Sequence, residues 1–417
     1  MQYASSPAVH FSCNLLPVTA IIIAMKRLRS TWLLSLITGL LLSLCPVYAM
    51  TPEEAAEQTE SDHMYIVDDD TGQVLFDKYG TDVIYPASMT KLMTVLVAAE
   101  SLPDPEQEVT ITYDMLAGLA EANASVVGYR AGVTVSVRSL LYGALLPSGA
   151  DAVNALGFTV SGSIPAFVDR MNQKAAELGM NSTHFVNPTG LHDPDHYTTC
   201  SDLAVLMSAC HRIPLLHEIM TTPVYTDEAG YTMRSTAYSA MQANGVEIAG
   251  YNGGKTGYTN AAGHCLASYL SLNDMHLIVI AAHAMTPYAD WAHVRDTAFV
   301  ADWMNQEYSR RQVLYSEQSV QTVTLKHMFK EETTEVLANS PIWFDLRNDA
   351  GITWVTDIPQ VIEVGVEDRT VNGTITVLAD GVPIAAQEVA VSVPREPKLL
   401  VRILMRIRSL FVKEEKE

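Results

Sequence analysis

The order of strand-like and helix-like segments along the chain constrains its fold more than any other feature. Residues 64–67 and 73–76 flank an Asp-Asp-Asp-Thr-Gly cluster, a pattern typical of a β-hairpin. Strand-like patterns return at residues 263–272 and 276–282. Strands at both ends of a helical region predict an α+β domain with one antiparallel sheet. Apolar residues at helical spacing predict helices at residues 88–99, 137–146, 151–160, 164–178, 201–210 and 289–308.

The sequence changes character after this domain, which we place at residues 50–315. Short β-rich runs follow one another, separated by Asn-Asp, Asn-Gly and Asp-Gly turns, at residues 320–325, 352–355, 361–366 and 373–378. Such runs predict a small all-β domain over residues 316–393.

The N-terminal 49 residues have the pattern of a secretory signal. Lys26, Arg27 and Arg29 precede a short apolar run at residues 32–44, and Val-Tyr-Ala at residues 47–49 offers a cleavage site. Met25 would then be the true start of translation. An uncleaved membrane anchor is the alternative, but the apolar run is shorter than the roughly 18 residues that a spanning helix needs. We therefore expect an exported protein at the extracytoplasmic face of the membrane or in the cell wall.

The last segment, residues 394–417, combines apolar residues at helical spacing with basic ones. From residue 395 to 413 there are six basic residues and one acidic residue, in a chain whose formal net charge is −21. A basic amphipathic helix that associates with an anionic membrane surface is the functional interpretation. A helix packed on its own β-domain is the alternative.

Charge and cysteine content exclude other classes. A net charge of −21 makes nucleic acid an unfavourable partner. After the leader, Cys200, Cys210 and Cys265 remain, too few for a disulfide scaffold. Two of them could form one disulfide bridge, but we expect no disulfide.

Residues 88–91 form the only Ser-x-x-Lys in the chain. Residues three apart share one face of a helix, so the Ser88 hydroxyl and the Lys91 amine can meet. Ser88 would lie in the first helical turn, where free N–H groups stabilise negative charge. A buried lysine near another cation loses its proton easily and can serve as a base. The pattern indicates a nucleophilic serine, although helix surfaces also carry Ser and Lys by accident.

Two more segments could complete such a site. Lys255-Thr256-Gly257 has glycines on both sides, which let a backbone approach a ligand closely. Lys255 and Thr256 would hold a carboxylate, and Lys255 would lower the pKa of Lys91; a turn before a strand is the alternative. Ser148, in Ser-Gly-Ala, is a candidate proton relay or, alternatively, a helix N-cap.

The order of the three segments, at residues 88, 148 and 255, is that of penicillin-binding proteins and β-lactamases. The sequence resembles the serine D-Ala-D-Ala carboxypeptidases, the low-molecular-mass penicillin-binding proteins, over nearly all of residues 30–417. The residues that carry the resemblance are 85–94, 187–191, 196–204 and 254–266.

This resemblance implies a β-lactamase/transpeptidase-like fold and hydrolysis of peptidoglycan stem peptides that end in D-Ala-D-Ala. Ser88 would form the acyl-enzyme, with Lys91 as its base and Ser148 as the proton shuttle. β-Lactams would acylate Ser88 as covalent inhibitors, and no cofactor or metal is expected. The substrate would be bound at Lys255, Thr256, Gly257 and Tyr258, with the N–H groups of Ser88 and Tyr258 as the oxyanion hole.

One position departs from the family pattern. Ala150 stands where the family usually has asparagine, so a catalytically weakened penicillin-binding scaffold is a second hypothesis. A β-lactamase is the third. Its support is Glu177, in a Glu-x-x-x-Asn pattern, but Glu177 lies on a predicted helix end rather than in a deacylation loop. His192 and His196 suggest a metal pair, which the proline between them disfavours.

Overall fold

The α+β domain is organised around one antiparallel sheet. The structure is a computed structural model that describes residues 50–287, 290–327, 330–365, 367–396, 399, 403 and 406–408. The predicted leader lies outside the described residues, and so does most of the predicted C-terminal helix. None of the helices in the described part of the chain has the length and hydropathy of a membrane-spanning segment.

The predicted hairpin and the two later strands form the central sheet, with one further strand at its edge. The strand order is β2-β1-β9-β8-β7, and every neighbouring pair is antiparallel. Two small two-stranded sheets, β3–β4 and β5–β6, are separate from this sheet. The strands of the domain are β1 (His63–Asp68), β2 (Val74–Lys78), β3 (Glu108–Thr110), β4 (Thr134–Ser136), β5 (Val224–Thr226), β6 (Thr232–Arg234), β7 (Tyr251–Thr259), β8 (Gly263–Leu272) and β9 (Met275–Ala284).

The predicted helices are present, and most of their ends lie within one residue of the prediction. The first one differs, because residues 87–90 form a 3₁₀ turn before the α-helix begins at Lys91. The described helices are α1 (Pro52–Glu57), α2 (Lys91–Ser101), α3 (Tyr113–Leu116), α4 (Val137–Leu145), α5 (Ala150–Ser161), α6 (Ile164–Glu177), α7 (Cys200–His211), α8 (Pro214–Thr221), α9 (Thr236–Asn244) and α10 (Ala292–Glu307).

Helix α2 lies at the centre of the domain. Its residues from Lys91 to Ala98 are all buried, and it packs against α4, α5, α6 and α7. A helix that is apolar on nearly every side belongs in a core rather than on a surface. The 3₁₀ turn at its N-terminal end lies against β7. The Ser-x-x-Lys segment is therefore held between the helices and the edge of the sheet.

The C-terminal region is β-rich, as predicted, but its first strand begins at Tyr308, before the predicted boundary at residue 316. It contains a β10–β13 pair and two three-stranded sheets, β12-β11-β15 and β14-β16-β17. The β11–β15 pair is parallel and the others are antiparallel. The strands are β10 (Tyr308–Leu314), β11 (Ser319–Lys326), β12 (Glu331–Leu337), β13 (Ile342–Arg347), β14 (Ile352–Thr356), β15 (Val361–Glu363), β16 (Arg369–Ala379) and β17 (Val382–Val393).

A buried ion cluster joins the C-terminal region to the first domain. The Arg310 guanidinium on β10 lies 2.6 Å from Asp68 at the end of β1 and 2.9 Å from Asp345 on β13. A third carboxylate, Asp70, lies 2.7 Å away. The side chains of Asp68 and Asp345 are fully buried. One cation therefore neutralises carboxylates from both parts of the chain.

Candidate active site

The nucleophile segment begins with a strained residue. Ala87 has a φ of 46°, in the left-handed region that non-glycine residues rarely adopt. The 3₁₀ turn that follows brings the Lys91 Nζ within 2.9 Å of the Ser88 Oγ. Ser88 is partly exposed, whereas Lys91 is buried. The arrangement places a reachable hydroxyl beside an amine that is shielded from water.

The environment of Lys91 favours a neutral amine. Burial lowers the pKa of Lys91 to about 7, and the Asp151 carboxylate opposes this shift. Burial is the leading cause of the shift, and the expectation that Lys255 also lowers the pKa of Lys91 remains a prediction. Burial, and then the charge of Lys91, lower the pKa of Lys255 well below its ordinary value. Near pH 7 a large fraction of Lys91 can therefore accept a proton.

Lys91 has a second partner, which the sequence analysis missed. Its Nζ donates to the Thr189 carbonyl oxygen at 2.6 Å. The Asn187 Oδ1 folds this loop by accepting the N–H groups of Thr189 and Gly190, at 3.1 and 2.8 Å. A Cβ at Gly190 would lie only 1.9 Å from the Ala87 carbonyl oxygen. Only glycine lets the loop approach the nucleophile this closely, and the Asn-Pro-Thr-Gly resemblance was the one signal that pointed to it.

Ser148 adopts a conformation that leaves its hydroxyl unused. Its φ is 63°, and its Oγ is buried without a hydrogen-bond partner among the described residues. Gly149 is the N-cap of α5, and no side chain caps that helix. The N-cap interpretation of Ser148 is therefore wrong. A buried hydroxyl without a partner costs free energy, so its presence is consistent with a partner supplied by a ligand.

The loop at residues 125–129 is attached to the N-terminus of α5. The Ala150 N–H donates to the Ser125 carbonyl oxygen at 2.7 Å. The Asp151 carboxylate accepts the N–H groups of residues 127, 128 and 129, at 2.9, 2.8 and 3.0 Å. A carboxylate at a helix N-terminus is also favoured by the helix dipole. Ala150 itself offers no amide to the cleft.

The third segment lies on β7, directly beside the nucleophile. The Lys255 Nζ is buried and donates to the Thr256 carbonyl oxygen at 2.8 Å. A Cβ at Gly257 would lie 3.2 Å from the Ser88 backbone nitrogen, so the two backbones are adjacent. The structure thus brings the first and third segments into one cleft.

The contacts of two predicted residues do not test their predicted roles. Tyr258 is paired with His264 across the sheet, and its hydroxyl donates to the Asn260 Oδ1 at 3.2 Å. The Ser148 hydroxyl bonds neither Ser88 nor Lys91. Their predicted roles, in the oxyanion hole and as a relay, remain predictions.

His196 is a structural residue. Its Nδ1 accepts the Val186 N–H at 3.1 Å, so its Nε2 carries the proton that bonds the Thr90 Oγ1 at 2.7 Å. Burial lowers the pKa of His196 to about 4, which keeps the ring neutral. In the described part of the chain, no group of three His, Cys, Asp or Glu residues could hold a metal.

The remaining alternatives are also resolved by contacts. Glu177 ends α6 in an ion pair with Lys174 at 2.9 Å, on the surface. Cys200, Cys210 and Cys265 are free and buried, so the possible bridge among them is absent. Burial raises the pKa of each thiol, which makes them unreactive.

The fold and the cleft define a class of protein. A serine and a lysine at the N-terminal end of a core helix, beside a Lys-Thr-Gly strand at a sheet edge, are the arrangement of the penicillin-recognising serine enzymes. The D-alanyl-D-alanine carboxypeptidase family model, peptidase S11, matches residues 49–286, and the chain belongs to this family. The family predicted from the sequence is confirmed.

Relatives and solved structures agree with this assignment. The chain is 30% identical to D-alanyl-D-alanine carboxypeptidase DacF of Bacillus subtilis over 76% of its own length and 80% of the relative. It is 32% identical to a D-alanyl-D-alanine endopeptidase of Pseudomonas aeruginosa over 65% of its length and 88% of the relative. The crystal structure of DacD from Francisella tularensis superposes with a TM-score of 0.65 at 22% identity, covering 81% of this chain and 95% of that one. That likeness supports the α+β fold and the β-rich region after it.

Proposed function

We propose that this protein removes the terminal D-Ala from peptidoglycan stem peptides through an acyl-enzyme on Ser88. The observation that carries the proposal is the 2.9 Å distance between the Lys91 Nζ and the Ser88 Oγ, at a buried amine whose pKa is about 7. The relatives named D-alanyl-D-alanine carboxypeptidase and endopeptidase support this substrate class.

Acylation begins with proton transfer. The neutral Lys91 amine takes the proton of the Ser88 hydroxyl, and the Oγ attacks the carbonyl carbon of the penultimate D-Ala. The carbonyl electrons move to oxygen, where the N–H groups of Ser88 and Tyr258 would stabilise the negative charge. When the tetrahedral intermediate collapses, the C–N bond breaks and the leaving nitrogen takes a proton. The terminal D-Ala departs as an amine.

Ser148 and Lys255 would assist this reaction in different ways. The unpartnered Ser148 hydroxyl could pass the proton from Lys91 to the leaving nitrogen. Lys255, with Thr256 and the backbone around Gly257, would bind the free carboxylate of the terminal D-Ala. A carboxylate beside Lys255 would restore its positive charge, which burial and the charge of Lys91 otherwise disfavour. Water then hydrolyses the ester on Ser88 and frees the shortened stem peptide.

Because of Ala150, we expect this enzyme to react more slowly than one with asparagine at the same position. An amide at this position would hydrogen-bond the lysine and the substrate, and losing such a bond costs about 1.5–3 kcal/mol. The rate would fall roughly ten- to a hundredfold if the transition state feels the whole loss. A scaffold that binds stem peptides without turnover is the second candidate, and Ala150 is its only support.

Fluorescent penicillin labelling of wild type and of Ser88→Ala tests the acylation step. We expect wild type to label and the variant to show no covalent adduct, because the attacking oxygen is gone. Equal labelling of the two proteins would reject the proposed nucleophile. Release of D-Ala from a stem-peptide mimic separates the candidates: the carboxypeptidase releases it, and a scaffold labels without releasing any. Rapid penicillin turnover without D-Ala release would favour a β-lactamase.

We further propose that the protein is exported and that residues 394–417 associate with the membrane surface. The signal-like pattern of residues 1–49 and the local reversal of charge after residue 394 support this. A protein ending at Val393 should no longer co-sediment with vesicles that contain anionic lipid, whereas the longer chain should. If truncation leaves sedimentation unchanged, the tail is not the attachment site.

A further inference from the structure

We propose that Thr236 is a positioning residue for the substrate carboxylate, acting through the hydroxyl of Thr256. The inference rests on the proposed function, in which Thr256 binds that carboxylate. Thr236 lies outside the three sequence segments that indicated the site. Its role follows from where α9 begins.

The two hydroxyls form a short, sheltered hydrogen bond. The Oγ1 atoms of Thr236 and Thr256 lie 2.6 Å apart, and among the described residues each is the other's side-chain hydrogen-bond partner. Thr256 is buried, and Thr236 is partly buried. Thr236 is the first residue of α9, but Ser235 is the N-cap and performs the capping with its own side chain. The Thr236 hydroxyl is therefore not needed for capping and can hydrogen-bond the Thr256 hydroxyl.

The direction of this hydrogen bond matters for binding. A hydroxyl has one proton to donate and two lone pairs to accept with. If Thr256 donates to a carboxylate, the 2.6 Å bond persists only when Thr236 is its donor. When the Thr256 oxygen accepts this hydrogen bond, its hydroxyl becomes more polarised, and the hydrogen bond that it donates to the carboxylate becomes stronger. Thr236 would thus hold the Thr256 proton toward the substrate.

The backbone of Thr236 also links the start of α9 to the segment that leads to Ser148. Its N–H donates to the Leu146 carbonyl oxygen at 3.0 Å, two residues before Ser148. This bond survives a change of side chain, so the hydroxyl can be tested separately from the main-chain link.

The test measures penicillin acylation and D-Ala release in Thr236→Val, Thr236→Ser and a double-mutant cycle with Thr256→Val. We expect Thr236→Val to lower the second-order acylation rate and kcat/KM for a D-Ala-D-Ala peptide roughly three- to tenfold, mostly through KM. Thr236→Ser should restore both. In the Thr256→Val background, Thr236→Val should have no further effect, because the hydroxyl that it orients is absent.

The chain offers a matched control. Thr226 and Thr232 form an equivalent hydroxyl pair at 3.0 Å in the exposed β5–β6 hairpin. Thr226→Val should leave both rates at the wild-type value. A wild-type rate in Thr236→Val, or an equal loss in the presence and absence of the Thr256 hydroxyl, would overturn the proposal while the function stands. Absence of acylation in wild type would instead reject the proposed function, and the role of Thr236 with it.

Discussion

Lys91→Met is expected to slow acylation by a β-lactam roughly a hundred- to ten-thousandfold, the range that a positioned general base supplies. Methionine keeps most of the side-chain length and suits the buried site, so the core of α2 should survive the change. What is lost is the amine 2.9 Å from the Ser88 Oγ. Without it, the hydroxyl must lose its proton to water, which is a poor base.

The pH dependence gives this prediction a second measurement. Lys91 must be neutral to act, and its pKa is about 7. The wild-type acylation rate should therefore fall about tenfold for each pH unit below 7 and level off above it. The residual rate of Lys91→Met should lack this dependence. Stopped-flow acylation between pH 5 and 8 measures both.

Lys174→Met is the matched control, because Lys174 is a lysine on a helix surface, paired with Glu100 and Glu177. Its acylation rate and pH profile should equal those of wild type. If a β-lactam acylates Lys91→Met at a rate within tenfold of the wild-type rate, another group takes the serine proton and the proposed mechanism fails.

The chemistry of the site could be predicted from the sequence because it is concentrated in short segments. Ser88 and Lys91 are three residues apart, and local helical geometry alone brings them together. The hydrogen bond from Lys91 to the Thr189 carbonyl oxygen could not be predicted in this way. Every residue has a backbone carbonyl, so the sequence does not show which one will be the acceptor. Ser148 was ambiguous for a related reason: its left-handed φ, which removes it from the capping position, has no sequence signature in a serine.

The sheet and helices of the first domain were predictable because their apolar periodicity is strong. In the C-terminal region, strand β12 was missed, since its sequence, Glu-Glu-Thr-Thr-Glu-Val-Leu, shows little apolar alternation. Its pairing with β11 fixes it as a strand through main-chain hydrogen bonds. Strand β17 was missed as well; Pro383 stands near its start, where proline is tolerated. Tertiary pairing, rather than local pattern, decides such segments.

Arg310→Met is expected to lower the free energy of unfolding by about 3–5 kcal/mol at pH 7. Removing the cation leaves the buried carboxylates of Asp68 and Asp345 without their counter-charge, and breaking a buried pair from one side has this cost. Arg138→Met is the control. Its ion pair with Glu106 is exposed, so that change should cost only about 0–1 kcal/mol.

Lowering the pH should distinguish an unpaired charge from a simple packing defect. Burial already raises the pKa of Asp345, and Arg310 opposes that shift. In Arg310→Met the opposition is gone, so the folded-state pKa of Asp345 should rise further above its unfolded value. The folded variant then binds protons more readily than the unfolded chain, and its deficit relative to wild type shrinks as the pH falls from 7 to 5. Urea unfolding of both proteins at pH 7 and pH 5 measures this difference in the free energy of unfolding. A difference that stays constant or grows on acidification would show that Arg310 stabilises the contact between the two regions by packing rather than by charge.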